Sequence, residues 1–358
     1  MTGTPKRATL NDIARRLGVS RAAVSFAMND RPGVSEELRQ RVRAMASEMH
    51  YRPNSAALAL NGARVDVIGL ALNRPARTLG TEAFFPELIA GIQAGLSETH
   101  TGLQTLMVTS LEEELDAYRA WHAMSRVDGV ILIDPRRQDE RTKLLGELDL
   151  AAVQIGSHPS TIASIPSVWI DDHAVATNLF TKLYTLGHRR IAHVMGPLDF
   201  EHTDLRRSAL RECAARFDAE VPISVETDYS AEQAAAATRD LLHRGGSPTA
   251  LVYDNDVMAL AGLRVLQEEG VAVPREVSIA SFDDSVAMRL VRPSITALTR
   301  DTYALGTLAA RTLMQLIGTD DLVPSVAAEP PVLSVRESTA PCGPECADRQ
   351  TQASKTSI

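Results

Sequence analysis

Beyond Val65 the chain alternates between short, continuously apolar runs and longer stretches in which apolar residues recur at helical spacing. The runs VDVIGLAL (65–72), LQTLMVT (103–109), DGVILID (128–134) and AAVQIG (151–156) form a first group; SVWID (167–171), RIAHVMG (190–196), TALVYD (249–254) and VSIASF (277–282) form a second. Strands that are apolar along their whole length, with amphipathic helices between them, predict parallel sheets buried on both faces. There are more of these strands than one sheet of this size usually carries, so the pattern predicts two similar subdomains with a cleft between them. Two late segments, ITALTRD (295–301) and VLSVRES (332–338), read as strands that cross back. The predicted core, 65–338, divides into 65–165 plus 299–325 and 166–298 plus 326–338. Ligands of such α/β folds sit at the carboxyl ends of the strands.

The first 52 residues follow a different pattern. Counted from Leu10, the residues Ile13, Leu17, Val19, Val24 and Ala27 recur so that, with Ala14, they close one small core between two short helices. Thr9 is placed to cap the first helix, with Asp12 in its first turn, where a negative charge suits the helix dipole. Gly18 stands where a left-handed residue ends that helix, and Ser20 where a cap begins the next. The small residues Ala14 and Gly18 let the helices cross through a tight turn, as a helix-turn-helix requires. A third helix is predicted over roughly Glu36–Met49, capped by Ser35, with the stripe Leu38, Val42, Met45 and Met49 covering the pair. Arg39, Arg41 and Arg43 lie mainly off that stripe and read as phosphate-side or solvated charges.

With Val24 and Ala27 inward, the second helix turns out Ser20, Arg21, Ala22, Ser25 and Phe26, the positions a recognition helix offers to the major groove. Arg21 suits a guanine edge or a phosphate, and the two serines suit phosphate oxygens. Ala22 permits close approach. Phe26 has no hydrogen-bonding group, which leaves it apolar contact with a thymine methyl or sideways packing against the third helix.

Charge sharpens this division. The 358 residues have a net charge of −8, yet residues 1–64 carry eleven Lys or Arg against five Asp or Glu, and residues 65–358 the remaining 26 against 40. A basic head on an acidic body implies that the head meets a polyanion. An apolar share of 44% supports real cores, and the length suits two or three domains. No apolar run reaches the length of a membrane span, and MTGTPKRATL lacks the apolar segment of a secretory signal, so a cytoplasmic protein with no membrane partner is expected. Three cysteines, Cys213, Cys342 and Cys346, argue against a disulfide framework and fit a reducing compartment.

Between head and body lies YRPNSAALALNG (51–62). Pro53 blocks continuation of the preceding helix, and Asn54 can cap a short helix over about Ser55–Asn61. A helix this brief is marginal alone in water and needs an external surface to order.

The stretches TLNDIARRLGVSRAAVSFAMND, VSEELRQRV and YRPNSAALALNG, followed by LGHRRIAHVMGP, YDNDVMAL, VSIASFDDS and VRES, resemble the LacI/GalR family of bacterial transcriptional repressors over about residues 9–339. The resemblance implies a helix-turn-helix DNA-binding domain (1–52), a hinge (53–64), an α/β periplasmic-binding-protein-like core of two parallel-sheet subdomains (65–338) and a polar tail (339–358) expected to be disordered. It also implies a homodimer on a pseudo-palindromic double-stranded DNA operator, controlled by a small-molecule effector, with pairing of dimers into tetramers left open. Leu60 matches a leucine that family hinge helices drive into a base step, and Ala57 a small residue at the groove floor; an ordinary linker with a buried leucine is the alternative. The expected DNA-contacting set is Thr9, Ser20, Arg21, Ala22, Ser25, Phe26, Asn29, Asn54, Ala57 and Leu60.

For the effector, the resemblance assigns Arg206, at the start of the helix after HVMGP, together with Asn255 and Asp283. An arginine fork and a carboxylate can each hold two hydroxyls of a polyol. Asp256 and Asp284 read better as helix N-caps than as ligand contacts. Phe84 and Phe85 match an aromatic pair near the pocket mouth, for stacking on a ligand or for core packing. This chain departs from family patterns at Gly156, where some members carry aspartate, at Arg300, where glutamine is common, and at Phe26, where arginine is frequent. Arg300 near the cleft would suit a carboxylate or phosphate, or simply pair with Asp301 or a neighbour. No phosphate-binding, dinucleotide, GxSxG or HExxH motif occurs; His188 and His193 lack metal-ligand spacing, and CGPEC lacks a second ligand pair. No catalytic residue, metal or cofactor is therefore assigned. A free sugar-binding protein would share the fold but needs an export signal and no basic head.

Overall fold

The computed structural model describes residues 8–28, 30–49, 51, 64–74, 80–156, 158–159, 165–319 and 321–343. The chain separates into two units, residues 1–65 and 66–358.

In the first unit, α1 (Leu10–Leu17), α2 (Arg21–Met28) and α3 (Glu36–Glu48) surround one small core. Thr9 and Asp12 form a reciprocal capping box at the start of α1, and Gly18 closes it at φ 68°, a left-handed conformation that costs glycine little. The Ser20 hydroxyl accepts from the Ala23 N–H at 3.1 Å, and Ser35 caps α3. Ile13, Val24, Ala27 and Val42 are fully buried, with Ala14 and Ala46 nearly so; Leu10, Leu17, Val19, Leu38, Met45 and Met49 pack around them. Arg39 corrects the expectation of a solvated or phosphate-side charge. Its guanidinium is largely buried, bonded to Asp30 at 2.8 Å and reaching Glu36 and the Arg31 carbonyl, so it braces the α2–α3 turn. Arg43 joins the same Asp30 at 2.6 Å.

Among the described residues, the second unit contains two six-stranded sheets. The first comprises β1 (Val67–Asn73), β2 (Gly102–Val108), β3 (Gly129–Leu132), β4 (Ala151–Gly156), β5 (Ser167–Trp169) and β11 (Val326–Ala327), in the order β11-β5-β4-β3-β1-β2 and parallel throughout. The second comprises β6 (Ile191–Met195), β7 (Ile223–Glu226), β8 (Ala250–Tyr253), β9 (Ser278–Ser281), β10 (Thr296–Thr299) and β12 (Val332–Ser334), in the order β12-β10-β9-β8-β6-β7, with only β12 antiparallel.

Helices cover both faces of each sheet, which explains why the central strands are apolar without alternation. The first sheet packs on α4 (Phe84–Ser97) and α12 (Thr302–Gly318) on one side, and on α5 (Leu111–Ala123) and α6 (Glu140–Glu147) on the other. The second packs on α7 (Asp172–Thr185) and α8 (Glu201–Arg216), and on α9 (Ala231–His243) and α10 (Asp256–Glu268). A short α11 (Val286–Leu290) follows β9. Helices α4 and α12 approach closely because Gly91 and Gly306 present no side chain at the contact: a Cβ on Gly91 would lie 2.0 Å from the Tyr303 carbonyl oxygen.

Three expectations need correction. SVWID belongs to the first sheet, where β5 pairs with β4 and is joined by β11, so the subdomain division at residue 166 and the placing of 326–327 with the second subdomain both fail. A three-residue run carries no sign of which sheet it will join. Second, β7 and β11 were not anticipated; β7 is a half-exposed edge and lacks a continuous apolar run. Third, the tail does not begin at residue 339. Thr339 bonds Thr296 at 2.8 Å, the Ala340 carbonyl meets the buried His188 ring at 3.2 Å, and the Cys342 N–H donates to Leu186 at 2.8 Å, so these residues are tied to the second subdomain. Cys342 is disulfide-bonded rather than a reduced thiol, whereas Cys213 is free and buried. Among the described residues, no helix is long and apolar enough to cross a membrane and no cluster of His, Cys, Asp and Glu could hold a metal ion.

Candidate functional site

In the second unit the carboxyl ends of strands from both sheets converge on a cavity of about 780 Å³, counting its open mouth. The first sheet contributes Arg74 after β1, Asp134 and Pro135 after β3, and Gly156 at the end of β4. The second contributes Tyr229 after β7, Asp254 and Asn255 after β8, and Asp283 after β9; Arg300 follows β10. Phe84 and Phe85 begin α4, their rings edge to face at 5.4 Å; Phe85 is a core residue and Phe84 is partly buried. All six residues expected at an effector site, Phe84, Phe85, Arg206, Asn255, Asp283 and Arg300, line this one cavity.

Their bonding differs from the expectation. Arg206 lies in the second turn of α8 rather than at its start, buried, with Nη1 3.0 Å from Asp254 and Nη2 3.3 Å from Asp172. Its guanidinium also lies 4.3 Å from the Phe282 ring centroid. Asp254, itself fully buried, takes further bonds from His193 at 2.9 Å and from the Gly196 N–H at 2.8 Å. Burial opposes ionisation of Asp254, but His193, Arg206 and these hydrogen bonds hold its carboxyl far below the usual carboxylate range. His193, which offered no metal-binding spacing in the sequence, thus serves to orient a carboxylate.

Asn255 caps α10 by accepting from the Met258 N–H at 2.8 Å, while its amide nitrogen donates to Glu82 from the other half. That leaves Asp256 without the capping role expected of it. Asp284 is not a cap either: Arg336 grips it with bonds of 2.8 and 2.6 Å, and Thr299 donates at 2.9 Å. Arg300 pairs with Asp283 at 3.1 Å and donates to the Phe282 carbonyl, so it is neutralised by a neighbour, and Asp301 instead caps α12. Burial raises the Glu82 carboxyl to about 8, with nearby Asp283 and Asp134 adding to the effect against the pull of Arg74. Burial also lowers the His202 pKa, with Arg206 acting in the same direction.

The β3 end of the cavity is held from behind. Buried Arg141 bonds Asp139 at 2.6 Å and Glu114 at 2.8 Å, and donates to the carbonyls of Ile133 at 3.0 Å and Asp134 at 2.9 Å. These bonds support Asp134 at a positive φ of 50°.

In the first unit Arg21, Ala22 and Phe26 are exposed on α2, with Ser25 half-buried and the Ser20 hydroxyl engaged in its cap. Phe26 is 37% exposed, and its ring lies beside Gly33 in the α2–α3 turn, where a Cβ on Gly33 would stand 3.6 Å from it. Thr9 uses its hydroxyl in the capping box, donating to Asp12 at 2.6 Å. Asn29 and the hinge positions Asn54, Ala57 and Leu60 lie outside the described residues.

Residues 9–54 match the family of bacterial regulatory proteins known as lacI, and residues 180–339 match the periplasmic binding protein-like domain. The chain is 31% identical over 341 residues to the HTH-type transcriptional regulator CelR of Thermobifida fusca, covering 93% of this chain and 98% of the relative. The chain belongs to the lacI family of bacterial regulatory proteins. The lactose operon repressor of Escherichia coli strain K12 is 27% identical over 325 residues, covering 87% of this chain and 85% of that one. Among solved structures, a CelR–cellobiose complex aligns with a TM-score of 0.70 at 29% identity, over 93% of this chain and all of that one. The lac repressor dimer bound to operator and the anti-inducer ONPF aligns with a TM-score of 0.77 at 26% identity, over 94% and all respectively. This LacI-family chain is a DNA-binding transcriptional regulator, and its relatives are regulators rather than enzymes.

Sequence reasoning missed Arg74, Glu82, Asp134, Asp172, His202, Tyr229 and Asp254 in the cavity of this LacI-family protein. Asp134 and Asp254 each sit where an apolar strand ends, which was the available signal. Arg74, directly after β1, carries the same signal. Tyr229 follows the four-residue edge strand β7, which has no continuous apolar run, and nothing local marks Glu82.

Proposed function

We propose that this regulator is a homodimeric repressor of a pseudo-palindromic operator, and that a small, uncharged, polyhydroxylated effector of the sugar type sets its DNA affinity from the cleft of the second unit. One observation carries the choice of effector. Among the described residues, every arginine facing the cavity has a carboxylate of its own: Arg74 meets Asp134 at 2.8 Å, Arg206 meets Asp254 and Asp172, and Arg300 meets Asp283. Among the described residues the cavity therefore has no spare arginine for a phosphate or carboxylate, contrary to what Arg300 alone implied. It does hold polar groups with unused capacity, since the Nε atoms of Arg74, Arg206 and Arg300 are buried without a partner. Hydroxyls, which donate and accept, can bridge such donors and the paired carboxylates, while Phe84 offers an apolar face.

On the DNA side, Arg21, Ala22 and Phe26 form the exposed reading surface, with Ser20, Ser25 and Thr9 near the backbone of the operator. One recognition helix reaches too few base pairs for genomic specificity, so two subunits act together, with the hinge residues Asn54, Ala57 and Leu60 between head and core. The lac repressor dimer on its operator and the cellobiose-bound CelR support this reading by family. The effector acts by favouring one setting of the two halves of the core.

A thermal-shift panel of neutral sugars, sugar phosphates, sugar acids and purines tests the effector class, followed by anisotropy of labelled operator with each binder. A ligand at a hundredfold its Kd stabilises by about 2.7 kcal/mol, well within detection. Stabilisation by a neutral sugar that also changes operator affinity is the expected result. Stabilisation by anionic ligands alone would defeat the charge argument.

A further inference from the structure

The two halves of the core are joined by three chain crossovers, between β5 and α7, between β10 and α12, and between β11 and β12. All three lie at the β5–β11 end of the first sheet and the β10–β12 end of the second. A separate set of contacts joins the halves at the other end, beyond β1 and β3 of the first sheet and β6 and β7 of the second. Its centre is Phe200, from the loop after β6, which is 4% exposed. Two arginines of the opposite half lie on this one ring: the guanidinium carbons of Arg74 and Arg136 are each 4.8 Å from its centroid. Arg74 is also 4.7 Å from the centroid of Tyr229.

Each arginine is neutralised without losing its flat face. Arg74 is paired with Asp134 on its own side, and Arg136 with Asp199 across the gap. A planar guanidinium can hold a carboxylate by its edge and an aromatic ring by its face, which an ammonium cannot. Backbone bonds complete the junction. The Glu201 N–H donates to the Pro135 carbonyl at 2.8 Å, the Arg137 N–H donates to the Asp199 carbonyl at 3.4 Å, and Arg136 and Phe200 form an antiparallel bridge.

We propose that Arg74 and Arg136 grip Phe200 as a two-armed clasp that holds the free lips of the cleft together, so that the closed setting is intrinsic to the chain and needs no ligand to bridge it. The crossovers then act as the hinge and the clasp as the fastener. Whatever loosens the clasp shifts the protein toward an open setting. The clasp stands independently of the proposed effector class, and its test uses no ligand, so the two fail separately.

The test is hydrogen exchange of the full chain, read by mass spectrometry without added ligand, in the native protein, Phe200→Leu and Arg136→Lys. The leucine keeps an apolar side chain but removes the ring; the lysine keeps the charge opposite Asp199 but removes the plane. Loss of desolvated cation–π contacts predicts exchange about tenfold faster at the Glu201 amide and in the segments 133–138 and 198–204, with β3 and β8 unchanged. Arg136→Lys should show a smaller increase in the same segments. Native-like exchange in those segments in both variants would overturn the clasp, as would an increase shared equally by β3 and β8, which indicates general destabilisation. If Phe200→Leu does not fold, Arg136→Lys decides by the same criteria.

Discussion

Arg206→Ala removes the one cation between two buried carboxylates, and the structure sets the scale of the effect. Arg206 lies 3.0 Å from Asp254 and 3.3 Å from Asp172, and the Asp254 side chain is fully buried. At an effective dielectric of ~20 each pair has a Coulomb energy of about 5 kcal/mol, much of it offset by the desolvation of three charges. The alanine variant leaves that desolvation in place without the attraction, so the expected loss is about 3–5 kcal/mol. Asp254 keeps His193 and the Gly196 N–H, which places the loss toward the lower end. Urea unfolding of the core, followed by the fluorescence of Trp121 and Trp169, measures it. Head and core are separate units, so operator affinity of the folded fraction is read separately by anisotropy and should stay within a fewfold of native, while the response to any effector found by thermal shift is lost. Adding Asp254→Asn to Arg206→Ala should recover part of the stability, because a neutral amide strands no charge. A loss below about 1 kcal/mol for Arg206→Ala, or strictly additive effects in the double-mutant cycle, would refute the ion-pair account.

Glu82 should give a pH signature. Its folded-state pKa, raised to about 8 chiefly by burial, exceeds the unfolded value of 4.5, so the folded protein holds a proton that the unfolded chain releases between those values. That contribution is complete below pH 4.5 and is lost as pH rises toward 8, at up to about 1.4 kcal/mol per pH unit; Glu82→Gln should remove this slope from the melting temperature measured against pH. Gly91→Ala places a Cβ 2.0 Å from the Tyr303 carbonyl oxygen and 2.8 Å from its carbon, backbone atoms that cannot turn aside. The core should lose at least about 1–3 kcal/mol in denaturant unfolding as α4 and α12 are forced apart. For the head, Phe26→Arg should change base preference at one position of each half-site in binding-site selection, away from thymine and toward guanine. Indifference to the swap would show that Phe26 packs on Gly33 and does not read.

What could be read from the chain alone is what depends on near neighbours in sequence. The capping box of Thr9 and Asp12, the left-handed Gly18, the Ser20 and Ser35 caps and the apolar stripes of α1 to α3 are each set within a few residues, and all stand as expected. Apolar strands announced two buried parallel sheets for the same reason, since burial on both faces favours apolar residues at successive positions. The family motifs brought six cavity residues to one place. Tertiary structure decided what depends on distant partners. It placed β5 and β11 in the first sheet, tied Thr339 to Cys342 onto the second subdomain, and turned Arg39 inward to Asp30. Above all it set the charge state of the cavity. Arg206 and Asp254 are 48 residues apart, and Arg74 and Asp134 are farther still. A charge pattern along the sequence shows how many arginines could face a ligand; only the fold shows that each has already met its carboxylate.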